Sequence, residues 1–195
     1  MAPLRRTQWL ADQLATGRIQ SDHLVALGCA RPLHDEHEAE VAYAGAAPKT
    51  EIDLLEGALR AALGGPVAWT GRGSWRRAPG LTLGPSSVDV HLVEAPTTRA
   101  DRCRPDTAES LEFLAGGRDL GLGPRDSVVL STSPIYSAYT QLAGVRVLGL
   151  RGCSVETVAH PLTGSASVTP VGPLYLQELR SALQATLDLA DALVR

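Results

Sequence analysis

Three hydroxyl residues in a row, Ser131-Thr132-Ser133, follow directly on the apolar run Ser127 to Leu130 and directly precede Pro134. A proline there suits the first turn of a helix. About twenty residues upstream, Arg104-Pro105-Asp106-Thr107-Ala108-Glu109-Ser110 opens a second helix. Free backbone N–H groups and the helix dipole converge at such turns, so both are candidate ligand sites of an α/β sheet. Asp106 is a good helix cap and Glu109 completes a capping box. The same geometry would present the N–H groups of Thr107 and Ala108 to an anion. Thr132 and Ser133 would floor a pocket, because hydroxyls at a strand end are costly in a core unless paired. Tyr136 and Tyr139 follow; either could orient a substrate or, for Tyr136, act as an acid, with packing as the competing reading. No G-x-S-x-G elbow is present, so a hydrolase triad is not supported.

Other residues add to this set. Gly28-Cys29-Ala30-Arg31 ends a short apolar strand. There Gly28 would admit close approach of a ligand and Arg31 would hold a carboxylate or phosphate. The alternative is a strand-ending turn with a surface arginine. No G-x-G-x-x-G fingerprint accompanies it, which argues against dinucleotide binding of the usual kind. Glu51 and Asp53 open a helix; they are acid/base candidates, or they complement the helix dipole with Thr50 as cap. His34-Asp35-Glu36-His37 could ligate a divalent metal, but no third ligand is evident from spacing, and an acidic first helical turn explains it as well. No metal is assigned.

These residues must be positioned by an alternating chain. The spacing predicts helices over 7–16, 51–63, 107–115 and 174–193, and strands over 22–28, 88–95, 127–130 and 154–159. Residues 34–44 begin a helix or loop. Val145 to Leu150 reads as strand or as a helical stripe continuing from Tyr136, and the helix is preferred because Ser154 to Ala159 supplies a better strand straight afterwards. The last helix carries an apolar stripe of Leu176, Leu179, Leu183, Leu187 and Leu193 or Val194. The Gly-, Pro- and Arg-rich stretch 71–87 reads as an irregular connection or an irregular β excursion. The order favours one α/β domain over 1–195, with a mainly parallel sheet covered by helices on both faces.

Composition sets the class. The chain has 195 residues, 44% hydrophobic and 20% charged, with a formal net charge of −3. That charge argues against binding dominated by nucleic-acid phosphates. Aromatic content is only 4%, so Leu, Val and Ala must build the core. Three widely spaced cysteines form no C-x-x-C pair and imply a reducing compartment. No apolar segment follows Arg5 and Arg6, and no run is long enough to span a bilayer, so a cytoplasmic location without membrane partners is expected.

Several stretches together resemble the YdcF–SanA–ElyC superfamily, nearest to its soluble actinobacterial branch. They are Val25 through Leu33, Glu51-Ile52-Asp53, Gly73-Ser74-Trp75-Arg76, Glu94-Ala95-Pro96, Asp106-Thr107-Ala108-Glu109, Val129 through Tyr136 and Tyr175 through Arg180. The resemblance spans about 20 to 185 and implies a Rossmann-like fold with a cleft at the strand ends. One member is associated with S-adenosylmethionine, and the membrane-anchored members with the cell envelope. This chain departs from the pattern: Asp106 stands where Asn is usual, and Tyr136 and Tyr139 stand where many members have His and Arg. The expectation is an enzyme-like domain binding a small nucleoside-type ligand, S-adenosylmethionine or a nucleotide. Gly28, Cys29, Arg31, Thr97, Asp106, Thr107, Glu109, Thr132, Ser133 and Tyr139 would form its pocket, with Glu51, Asp53 and Tyr136 as catalytic candidates. A non-catalytic sensor or protein-interaction domain on the same fold is the alternative. The reaction and the oligomeric state are not assigned.

Overall fold

The computed structural model describes residues 2–33, 48–71, 73–100, 102, 104–117, 119–160 and 172–194. The chain forms two compact units, Met1–Ser110 and Leu111–Arg195, divided inside a helix.

The first unit contains α1 (Ala2–Ala15), β1 (His23–Gly28), α2 (Glu51–Ala62), β2 (Trp75–Leu83) and β3 (Ser86–Glu94). Its sheet has the order β1-β3-β2. The β1–β3 pair is parallel and the β2–β3 pair antiparallel. The sheet is therefore mixed. The reason is local: Gly84-Pro85 is a two-residue link between paired Leu83 and Ser86, and such a link can only join antiparallel strands. Gly84 has φ +57, and a side chain there would drive Cβ to 2.0 Å from the Ala15 carbonyl oxygen. The 71–87 stretch thus carries a nine-residue strand, irregular only where its register shifts between Ala78 and Leu81.

Alternation sorts the two faces of this sheet. Leu24, Val88, Val90, Leu92, Ala78 and Leu83 form a core cluster with Leu14 of α1 and Ile52 and Leu59 of α2. Both helices therefore cover one face of this sheet. The register pairs His23 with Asp89, Val25 with His91, and Arg77 with His91, which places these polar residues together on the other face.

The second unit contains β4 (Ser127–Thr132), a 3₁₀ turn (Pro134–Tyr136), α4 (Ser137–Val147), a second 3₁₀ turn (Gly149–Arg151), β5 (Ser154–Ala159) and α5 (Gly172–Val194). β4 and β5 are parallel and α4 crosses over between them. Gly144 lies where α4 meets this pair: a Cβ there would sit 2.6 Å from Leu130 Cδ1 and 2.9 Å from Val155 Cγ1. Val145 to Val147 are helical, as preferred from the sequence. α3 (Thr107–Gly116) spans the division between the units. The architecture is mixed α/β, with one small mixed sheet and one small parallel sheet. No described helix is long and apolar enough to cross a membrane.

Candidate functional site

The residues that follow β1 are hydrogen-bonded to the amino end of α2. Glu51 N–H donates to Arg31 O (2.9 Å) and Ile52 N–H donates to Cys29 O (3.2 Å). Ala95 N–H donates to Gly28 O (2.8 Å), which extends the parallel pairing past β3 and brings the Ala95–Thr98 loop out beside Cys29. Three of the expected site residues meet there. Cys29 Sγ lies 3.1 Å from Glu51 Oε2 and donates to it. Arg31 Nε lies 3.5 Å from the same oxygen, with the two side chains 12% and 24% exposed. That approach falls short of hydrogen-bond geometry, so the buried Arg31 Nε–H has no acceptor. Burial, and then the Glu51 carboxylate, push the Cys29 thiol up to about 11, so it stays protonated at neutral pH and is a weak nucleophile.

Gly28 and Asp53 have local structural work. A Cβ on Gly28 would lie 2.5 Å from Leu55 Cδ1, so its missing side chain makes room for α2. Asp53 forms a reciprocal capping box with Thr50: Thr50 Oγ1 accepts from Asp53 N–H, and Asp53 Oδ2 accepts from Thr50 N–H (3.0 Å) and Lys49 N–H (3.1 Å). Partial burial works to raise the Asp53 carboxyl, but the Thr50 side chain and the two backbone donors outweigh it and hold it below its usual range.

The next turn of the first unit is also built around a capping box. Glu109 N–H donates to Asp106 Oδ1, and Asp106 N–H donates to Glu109 Oε2, each at 2.9 Å. Thr98 hydroxyl donates to Glu109, and Arg102 pairs with Asp106 at 3.1 Å. The Thr98 hydroxyl and then the Asp106 N–H hold the Glu109 carboxyl below its usual range. Thr107 is the first residue of α3. Thr97 closes a small turn, its hydroxyl accepting from Arg99 N–H at 3.2 Å.

In the second unit Thr132 and Ser133 are buried at the end of β4, with half-buried Tyr136 and Tyr139 following. Beside them stands His160, buried and missed from the sequence. Its backbone N–H and its Nδ1 both lie 3.2 Å from Thr132 O. A carbonyl oxygen only accepts, so Nδ1 carries the proton and Nε2 keeps the lone pair in the neutral ring. The signal was register: His160 follows β5 as Ser133 follows β4. Ser131 Oγ nearby is buried without a partner. Of the sequence-derived site residues, Gly28, Thr132 and Ser133 lie at strand ends, whereas Glu51, Asp53, Asp106, Thr107 and Glu109 lie at helix starts. At the other end of α4, a shallow groove is lined by Glu112, Arg146, Val147, Leu150, Arg151 and Ala192. Arg146 is already paired there with Glu112 (3.8 Å) and Asp188 (3.9 Å).

A second histidine group lies in the first unit. His23, Asp89 and His91 bring possible metal-ligand atoms within 4.8 Å of one another. The donor set does not fit a cation. Trp75 Nε1–H, which can only donate, lies 3.0 Å from His91 Nδ1. The neutral His91 ring must then carry its proton on Nε2, which donates to His23 Nδ1 at 3.2 Å. Asp89 is held by Arg77 and by Gly80 N–H (2.8 Å). A metal-bound histidine instead needs an acceptor at its other nitrogen. The His34–His37 candidate lies outside the described residues.

No family model matches this chain, and no solved structure does. Uncharacterised proteins of Mycobacterium tuberculosis and Mycobacterium bovis are 31% identical to it over 208 residues, covering 96% of this chain and 56% of each relative. The chain thus spans little more than half the length of the curated relatives it matches, and their mycobacterial origin fits an actinobacterial branch.

Proposed function

We propose that the first unit binds a small nucleoside-type ligand, S-adenosylmethionine or a nucleotide, over the Cys29–Arg31–Glu51 corner. The supporting observation is the Arg31 guanidinium, mostly buried at a strand end beside a helix N-terminus, with a buried Nε–H that lacks an acceptor. A carboxylate or phosphate is the natural partner for such a group. Glu51 beside it is suited to accept from ribose hydroxyls, as acidic residues do at strand-end nucleotide sites. The resemblance to the YdcF–SanA–ElyC superfamily, which implies a cleft at the strand ends, points the same way.

The second reading is binding without turnover, as a sensor or interaction domain. It is favoured by the titration pattern: every described carboxylate with a resolved shift, Asp53, Asp89 and Glu109, is held down, whereas a general acid or base works best near neutrality. Thermal shift against nucleosides, nucleotides and S-adenosylmethionine tests binding. Ligand at a hundredfold excess over its Kd should stabilise by about 2.7 kcal/mol. A flat response across the panel would reject the ligand assignment. Product analysis with the responding ligand then separates turnover from sensing.

A further inference from the structure

We infer that α5 is the interface of a two-fold homodimer, pairing antiparallel with α5 of a second copy. The helix presents two unlike faces. Its inward face carries Leu174, Ser181, Ala182, Ala185, Leu189 and Ala192, each buried or half-buried. Its outward face is large and apolar: Leu176, Leu179, Leu183, Leu187 and Val194 are each 60% to 88% exposed, and Tyr175 and Leu193 flank them at 56% and 66%. The leucine stripe read from the sequence is therefore the open face. Monomer surfaces rarely expose more than a few hundred Å² of continuous apolar area. Seven such side chains, each offering on the order of 100 Å², approach the roughly 800 Å² per partner of a standard interface.

The order of residues selects the occupant. An isologous pair needs a pattern that matches itself when reversed. About Ala185, reversal sets Leu176 against Val194 and Leu183 against Leu187. It also brings Arg180 of one copy within a residue of the Asp191 position of the other. At 100° per residue both charges lie on the same flank of the apolar stripe, and a two-fold axis across the helix keeps that flank on one side in both copies. Opposite charges then meet at the rim on both ends. A parallel pairing would offer no such match and would align the helix dipoles.

Light scattering coupled to size exclusion should return twice the 20.5 kDa of one chain. The double substitution Leu183→Glu with Leu187→Glu should give a monomer with unchanged circular dichroism, because both side chains are already exposed. Arg180→Glu and Asp191→Arg should each weaken the dimer by about two- to fivefold, and combining them should restore it. A monomeric wild type at tens of micromolar would overturn the proposal, as would a dimer indifferent to the leucine changes. A charge-swapped double variant weaker than either single would overturn the antiparallel register.

Discussion

At the scale of single residues, the first unit invests its polar groups in fixing one another. Cys29 is the clearest case. Its raised pKa predicts that iodoacetamide will label it far more slowly in native than in unfolded protein at pH 8. The sign for stability follows from a folded value above the unfolded one. The contribution is complete below about pH 9 and is lost as pH rises towards 11, so the chain should lose stability across that interval, and Cys29→Ala should reduce the loss. Equal labelling rates in native and unfolded protein would contradict this. Trp75 offers a second test. Trp75→Phe removes the donor to a fully buried His91 nitrogen and should cost about 1–3 kcal/mol in chemical denaturation. Cys29, Arg31 and Glu51 were legible because each stands at a strand or helix end that periodicity could place. His91 and His160 were not, since a lone histidine in or after an apolar strand carries no spacing signal. Only the strand register shows that His91 faces His23 and Trp75, and that His160 stands beside the Thr132 turn.

At the scale of elements, the helix starts carry a measurable acid sensitivity. The Asp53 carboxyl is held below its ordinary range by its cap hydrogen bonds, and the Glu109 carboxyl first by the Thr98 hydroxyl and then by its cap hydrogen bond from Asp106 N–H. Such groups stabilise the fold above their unfolded values of about 3.9 and 4.3, and that stability is lost as pH falls through the folded values. Glu109→Gln should therefore flatten the fall in stability below about pH 4.3, and an unchanged acid transition would count against the Thr98 and Asp106 bonds to this carboxylate. Packing between elements predicts that Gly144→Ala costs about 1–3 kcal/mol, because its Cβ would press on Leu130 and Val155 from a rigid helix. A Tm equal to wild type would mean that α4 sits further from the sheet. Helix and strand positions were largely readable from periodicity: β5 spans Ser154–Ala159 as expected, and α3 and α4 follow their stripes. β2 was harder, because its Arg-, Pro- and Gly-rich sequence lacks strand alternation. Its pairing with β3 and the Gly84-Pro85 link hold it in place. The leucine stripe of α5 shows a different limit. Periodicity locates an apolar face without saying whether the same chain covers it.

At the scale of the whole chain, two small α/β units each present polar residues at the carboxyl ends of parallel strands. Alternation in the sequence foretold this mixed α/β class, whereas the antiparallel β2 and the placement of α1 and α2 on one face depend on contacts that alternation does not encode. The functional reading rests on one corner, where Arg31 meets Glu51 and Cys29. Calorimetric titration of the wild type and of Arg31→Met, with whichever nucleotide or S-adenosylmethionine gives the largest thermal shift, tests that corner most directly. The expected result is saturable binding to the wild type and at least about tenfold weaker binding to Arg31→Met. Equal affinity in the two proteins, or no binding to either, would contradict the assignment of this corner as the ligand site.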